Sequence, residues 1–430
     1  MSTKSTNKNN IKLYTIYKMF SWDLLFYYSI IYLFLTIEKN LSPSSVLLSN
    51  AFLQLFQLIF QFPCVIFSDL LDNRKSLIIA NICTSISILV LILSSNFTII
   101  IISNLFLAIG FNFKNLCESS ILYDSIKKHR KKNYLFSKID SISSSYYYFF
   151  DAISAIFTGF LFVINSYIPM ILCFVFCSIS IILSLNFEEN SKNHLENKLS
   201  NKEKINNMHR YFKELKRILH FIVQSNRLKS LLLFSGIFTG LLTLTTSLRS
   251  ILLTQIYLNE EYFGVAFAII QFIAAISSKQ TTFIQNRLKN KALTFFAFSN
   301  CFPLIIIGLC MLCKLPLKII TFSISIWLIL YAITKGPFHT LIKRYLHSFV
   351  TPTINTKIYA IQTIINSICT ICISFLTSLL LKHTSPSLTI ISLGFIFLLV
   401  FVALLEFMKT RVGLKPEEYK KSELTYIELK

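Results

Sequence analysis

Charge is scarce in this chain, and acidic charge most of all: 20 Asp and Glu stand against 42 Lys and Arg in 430 residues, and the four types together make up 14%. A soluble domain carries charge on about a quarter of its positions, so a water-soluble core for the whole chain is excluded. Glycine is equally sparse, nine in all, so Ser and Cys are expected to take over the close helix contacts that glycine usually makes. Of the seven histidines, His339 alone falls within an apolar run. A membrane hydrolase or metalloenzyme needs clustered His and acidic groups, so no enzyme activity and no cofactor are expected.

The ten cysteines (64, 83, 117, 173, 177, 301, 310, 313, 369 and 372) all lie inside apolar runs. Cys310/Cys313 and Cys369/Cys372 have CxxC spacing, but on helices these thiols read as small packing residues, because a structural zinc site wants four ligands beside polar loops. No metal is expected.

What fills the chain is apolar: 54% hydrophobic residues and a mean hydropathy of +0.61. Charges gather in short clusters between apolar runs of roughly 20 residues, the length of helix that crosses about 30 Å of hydrocarbon. The net charge of +22 does not indicate nucleic acid, since the basic residues sit at the ends of apolar runs. There they follow from insertion topology and from attraction to anionic lipid. The polar, basic start MSTKSTNKNNIKLY leads into a long apolar run without a small-residue cleavage site, so the first span is expected to anchor the protein rather than be removed.

Six spans are expected over 14–37, 44–67, 77–95, 98–124, 139–164 and 167–187, and six more over 229–257, 262–284, 292–313, 317–342, 357–381 and 388–408. With the N-terminus in the cytoplasm, Arg74/Lys75, Lys127 to Lys132, the 188–229 stretch, Arg287 to Lys291, Lys343/Arg344 and the C-terminal tail face inward. The outer loops then keep few cations, chiefly Lys39, Lys314, Lys318 and Lys382, as the positive-inside rule requires. The chain therefore reads as an all-α membrane protein of about twelve helices, with both ends inside. Its parts are an N-terminal bundle (1–187), a cytoplasmic linker (188–228), a C-terminal bundle (229–409) and a tail (410–430). Within the linker, Met208, Tyr211/Phe212, Leu215, Ile218/Leu219 and Ile222 recur at helical steps among basic residues, which suggests an amphipathic helix on the inner leaflet. Two sixes suggest a parallel duplication with a substrate path near the midplane.

Two stretches carry a family resemblance. FPCVIFSDLLDNRKSLI (Phe62 to Ile78) resembles the loop signature G-x-x-x-D-R-x-G-R-K of the major facilitator superfamily. Its Asp falls on Asp69, with Asp72 as the rival register, and its basic pair on Arg74/Lys75; Val65 and Leu70 stand where the signature has Gly and Arg. CESSILYDSI (Cys117 to Ile126) is similar to the end of the fourth helix in a branch of bacterial efflux-like carriers. KGPFHTLIKRYL (Lys335 to Leu346) resembles the tenth helix of that branch, while SSKQTTFIQNRLKNKALTFF (Ser277 to Phe296) and EEYFG (260–264) extend the likeness along the chain. The resemblance implies two six-helix bundles that rock about a substrate, and an inner gate in which Arg74 pairs with Asp124 while Asp69 faces the other half. The glycine signature of drug and proton antiporters on helix five is absent, Gly159 standing alone, so motif leaves the direction of transport open.

Charge at membrane depth is retained mainly where it faces a cavity or a partner. Asp23, Lys114, Glu118, Asp151, Arg249 and Lys335 are the candidates. Lys114 and Glu118 lie four apart on one helical face and can pair. Asp151, near mid-depth, is either a proton-exchanging carboxylate or a structural partner of a cation such as Lys114. Asp23 follows Trp22 in helix one and either lines the cavity or bonds a neighbouring helix. Arg249 either snorkels or holds an anionic substrate group, and Lys335 matches a basic position of the resembling helix or forms an interface salt bridge. Gln54, Gln57 and Gln61 share one face of helix two, as a polar stripe or a hydrogen-bond ladder.

The expectation is a monomeric secondary transporter in a bacterial plasma membrane that exports a small amphipathic or hydrophobic compound against protons. Uptake of a polar nutrient, with Asp23 and Arg249 as binding groups, is the alternative within transport. A sensor or immunity protein that kept the fold is the alternative outside it.

Overall fold

The computed structural model describes residues 3–21, 23–126, 132–188, 220, 222, 224–279, 284, 287–288, 291–349 and 352–409. Linker positions 208–219, Lys127 to Arg130 and the tail from 410, which carry the expected surface helix and several inner charges, lie outside the described residues.

The chain divides into two compact units, one of Met1–Lys198 with Tyr257–Gln271 and the other of Leu199–Ile256 with Phe272–Lys430. In the first unit the helices are α1 (Thr3–Ser21), the short α2 (Ile31–Leu33) continuing into a π-helical turn (Phe34–Glu38), α3 (Pro43–Leu70), α4 (Asn73–Leu93), α5 (Phe97–Ser125), α6 (Lys132–Ile164) and α7 (Ile168–Leu185). The second unit holds α8 (Asn226–Gln255), α10 (Ala292–Leu312), α11 (Leu317–Phe349), α12 (Pro352–His383) and α13 (Pro386–Lys409). Between α8 and α10, helix α9 (Glu261–Lys279) gives its first half to the first unit and its second half to the second.

Ten of these helices are long and apolar enough to cross a membrane, and α9 is a shorter apolar helix. With the two-piece first segment they supply the twelve crossings expected from hydropathy. Each unit repeats one neighbour scheme: its first helix packs on its fifth, and its third on its fourth and sixth (α1 on α6, α4 on α5 and α7; α8 on α12, α10 on α11 and α13). That repetition is the mark of a duplicated bundle.

Helix starts follow local chemistry. Ser42 caps α3, its hydroxyl accepting the Ser45 amide at 3.3 Å with Pro43 at the first helical position, where a missing N–H is harmless. Ser385 accepts the Leu388 amide in the same way at 3.4 Å before α13.

The first crossing corrects the reading of 14–37 as one span. Helix α1 stops at Ser21, residues 25–30 form turns, and helical geometry resumes at Ile31. The cause is local: the Asp23 carboxylate Oδ1 accepts the Leu24 amide and the Tyr28 hydroxyl, both at 2.9 Å, an alternative to the helical ladder. Phe26 sits in the left-handed region at φ 63°, at a price of about 1–2 kcal/mol for a residue with a Cβ. Stacking holds it there, because the Phe176 ring of α7 lies 5.6 Å from both Phe26 and Phe20.

Each piece has its own anchors. Asn10 exchanges two hydrogen bonds with the Glu188 backbone, at 3.0 and 3.1 Å. Beyond the break, Lys39 Nζ donates to the carbonyls of Ile92 and Ser94 at 2.8 Å each, and Ser166 donates to Glu38 at 2.6 Å. In the second unit the core is aromatic: Phe238 lies 4.3 Å from Phe338 and 6.0 Å from Phe401.

Candidate functional site

Tyr14, Tyr17 and Lys18 occupy the i, i+3 and i+4 positions of α1 and therefore one face. Tyr14 and Tyr17 pack there with Leu77, Ile121 and Leu122 of α4 and α5. Lys18, only 4% exposed, places its ammonium 2.5 Å from Asp140 Oδ1 on α6. The Tyr14 hydroxyl donates to the same oxygen at 2.8 Å, and Tyr17 donates to Asn81 Oδ1 on α4 at 3.0 Å.

Beside this network α5 carries Lys114 and Glu118, both buried. They form no ion pair with each other, and Glu118 Oε1 has no hydrogen-bond partner. The i, i+4 pair expected from the sequence is thus not made. Lys114 also lies in the field of Asp23, and Glu118 in that of Lys18, Asp140 and Asp23, so each charge has competitors for the other. A buried carboxylate oxygen without a donor costs several kcal/mol. A proton on Glu118 removes that penalty, and so does a donor brought to Oε1.

Asp23 stands at the break of the first crossing and Asp151 is buried on α6; the charges of both act on the Tyr147 phenol in this unit. The first unit therefore gathers Asp23, Glu118, Asp140 and Asp151 with Lys18 and Lys114. In the second unit Arg249 is buried on α8 within the field of Tyr331, whose ring lies 5.8 Å from Lys335 Nζ.

At the loop between α3 and α4, Asp72 pairs with the exposed Lys75 at 3.1 Å, and Arg74 Nη2 donates to the Leu185 carbonyl at 2.5 Å. The side chains of Asp69 and Asp124 lie outside the described residues, and with them the expected clasp. On α3 the backbone carbonyl of Gln57 accepts the Asn112 side-chain amide at 2.9 Å. All ten cysteines are free.

Sequence reasoning missed Lys18, Asp140 and Asn81. The first two lie near the ends of their expected spans, where charge usually marks topology. The Tyr14/Tyr17/Lys18 spacing was the available signal.

The family model described as Major Facilitator Superfamily matches residues 16–312. A search of curated protein sequences gives no significant match. Among solved structures, the nucleoside transporter NupG shares the fold with a TM-score of 0.68 at 12% identity, over 94% of this chain and 98% of that one. The D-xylose-proton symporter gives 0.67 at 12%, over 95% and 98%. A POT family transporter crystallised with a thioalcohol-conjugated peptide gives 0.66 at 12%, over 94% and 96%. At these identities the likeness is one of fold.

Proposed function

Because the chain belongs to the Major Facilitator Superfamily, a family of multi-pass transporters rather than enzymes, we propose that it is a proton-coupled secondary transporter exporting a small amphipathic or hydrophobic compound by alternating access. The observation that carries the coupling is Glu118, a buried carboxyl whose Oε1 lacks a donor while two lysines and two further carboxyls act on it. Such a group exchanges a proton whenever its surroundings change. This moves the coupling role from Asp151 on α6, the sequence-based choice, to Glu118 on α5. Export is supported by the efflux-like end of α5 and by the aromatic interior around Phe20, Phe26, Phe150 and Phe176. The protein acts as a monomer in the bacterial plasma membrane, with both termini cytoplasmic and Arg74, Asp124 and Asp69 forming the inner gate.

Uptake of a polar nutrient is the second reading. It draws on the buried Arg249 as a group for an anionic substrate and on the fold shared with a D-xylose-proton symporter. Vesicles holding the purified full chain, with an imposed pH gradient and a broad panel of amphipathic compounds and nutrients, test the proposal. At least one amphipathic compound should move opposite to protons. Movement of a polar compound along with protons supports uptake, and movement of none supports a non-transporting sensor or immunity protein.

A further inference from the structure

We propose that Lys18 is a positioning residue that converts the protonation state of Glu118 into movement of the inner piece of the first crossing, by passing between Asp140 on α6 and Glu118 on α5. The inference rests on the reading of Glu118 as the proton carrier and adds what that proton moves.

Three observations meet at Lys18. Its ammonium is bound to Asp140 Oδ1, an oxygen it shares with the Tyr14 hydroxyl. Glu118, on α5, another helix packed against α1, lies in its field and has an oxygen with no donor. The helix that carries Lys18 ends three residues later at Ser21, before the break. The piece beyond the break is held separately, by Lys39 on the α4 carbonyls and Glu38 on Ser166. The inner piece can therefore shift between α5 and α6 without dragging its continuation.

The charges decide the direction. With Glu118 neutral, Asp140 is the stronger attraction and Lys18 stays on α6. When the proton leaves Glu118 for water, a second carboxylate competes for the same ammonium in a medium where charge is poorly screened. Lysine suits the exchange, being a compact charge on a flexible stem. The titratable groups around Glu118 are Lys114 on α5, Tyr14, Tyr17, Lys18 and Asp23 on the α1 side and Asp140 on α6, while Cys177 of α7 faces Lys114. On the α4 side Tyr17 is held by Asn81, which does not titrate.

The test uses the full chain in lipid nanodiscs, with genetically encoded spin labels at Lys12 and Leu93, both exposed, and infrared difference spectra of the same samples between acid and alkaline pH. The wild-type distance distribution should hold two populations whose ratio changes about tenfold with pH, a coupling of ordinary size. Glu118→Gln should stay in the acid population at every pH and lose one carboxyl band. Asp140→Asn should stay in the alkaline population while keeping that band. Tyr14→Phe, which frees Asp140 to hold Lys18 more tightly, should fold normally and lower the alkaline fraction throughout. If Asp140→Asn and Tyr14→Phe both titrate like wild type while the Glu118 band is present, the exchange at Lys18 is wrong and the proton reading stands. If no band is lost in Glu118→Gln, the proton reading itself fails.

Discussion

Gly264 of α9 lies so close to α6 that a Cβ built on it runs into the carbonyl oxygen of Ala155, and Gly159 meets the Glu261 carbonyl in the same way. Two of the nine glycines thus form one backbone-to-backbone contact within the first unit. Gly264→Ala must push two backbones apart, so a loss of about 1–3 kcal/mol is expected. At Gly236 the nearest obstacle is the Cys369 sulfur at 2.8 Å, a side-chain end that can turn aside, so Gly236→Ala should be the milder change. Thermal unfolding of the purified variants would show the order, and equal losses would contradict it.

The break in the first crossing should be visible as exchange. Amides of residues 24–29 should exchange with deuterium faster than those of either flanking helix. Phe176→Ala removes the ring that both Phe20 and Phe26 stack on. With about 0.5–1.5 kcal/mol for each of the two stacks, exchange in the break should rise roughly fivefold or more. Mass spectrometry of the exchanged peptides measures it, and unchanged rates would mean that the stacks do not hold the break.

Lys39, outside the spans, caps the end of α4 through two carbonyls. Partial burial lowers its pKa in the folded protein, an effect the nearby Glu38 opposes. Below the folded pKa both states keep the proton and stability is flat. Between the folded pKa and the unfolded value near 10.5 the unfolded chain binds more protons, so stability rises with pH. Lys39→Met should be less stable at neutral pH through the loss of the cap, and its deficit should widen toward alkaline pH. Melting temperatures of both proteins from pH 7 to 10.5 check the sign.

Tyr17 and Asn81 form a buried hydrogen bond of 3.0 Å between α1 and α4. Tyr17→Phe leaves the Asn81 oxygen without that donor, at a cost of about 1–3 kcal/mol. The same substitution in an Asn81→Leu background should have a smaller effect. Additive losses in a double-mutant cycle would show that the bond contributes little.

Hydropathy made most of the fold legible, because a helix that crosses lipid must be apolar along its length and the loops between must hold the charge. The broken first crossing was not legible. No Gly or Pro lies between Met19 and Ser42, and the break depends on Asp23 turning to its own backbone and on Phe176, a residue 150 positions further along the chain than Phe26. The buried charges Lys114, Glu118 and Asp151 were legible from their depth. The Lys18–Asp140 pair was not, since its partners are 122 residues apart. Spacing predicted a Lys114–Glu118 contact because it measures reach along one helix, whereas the outcome was set by Asp23 and Lys18 arriving from another.

Proton release on binding tests the central claim most directly. A pH-sensitive dye in weakly buffered detergent solution, with the full chain and the first compound found to be exported, reads protons freed per chain. Wild type and Asp151→Asn should each release about one proton per bound compound, and Glu118→Gln none. Release from Glu118→Gln equal to that of wild type would place the coupling proton elsewhere and contradict the account.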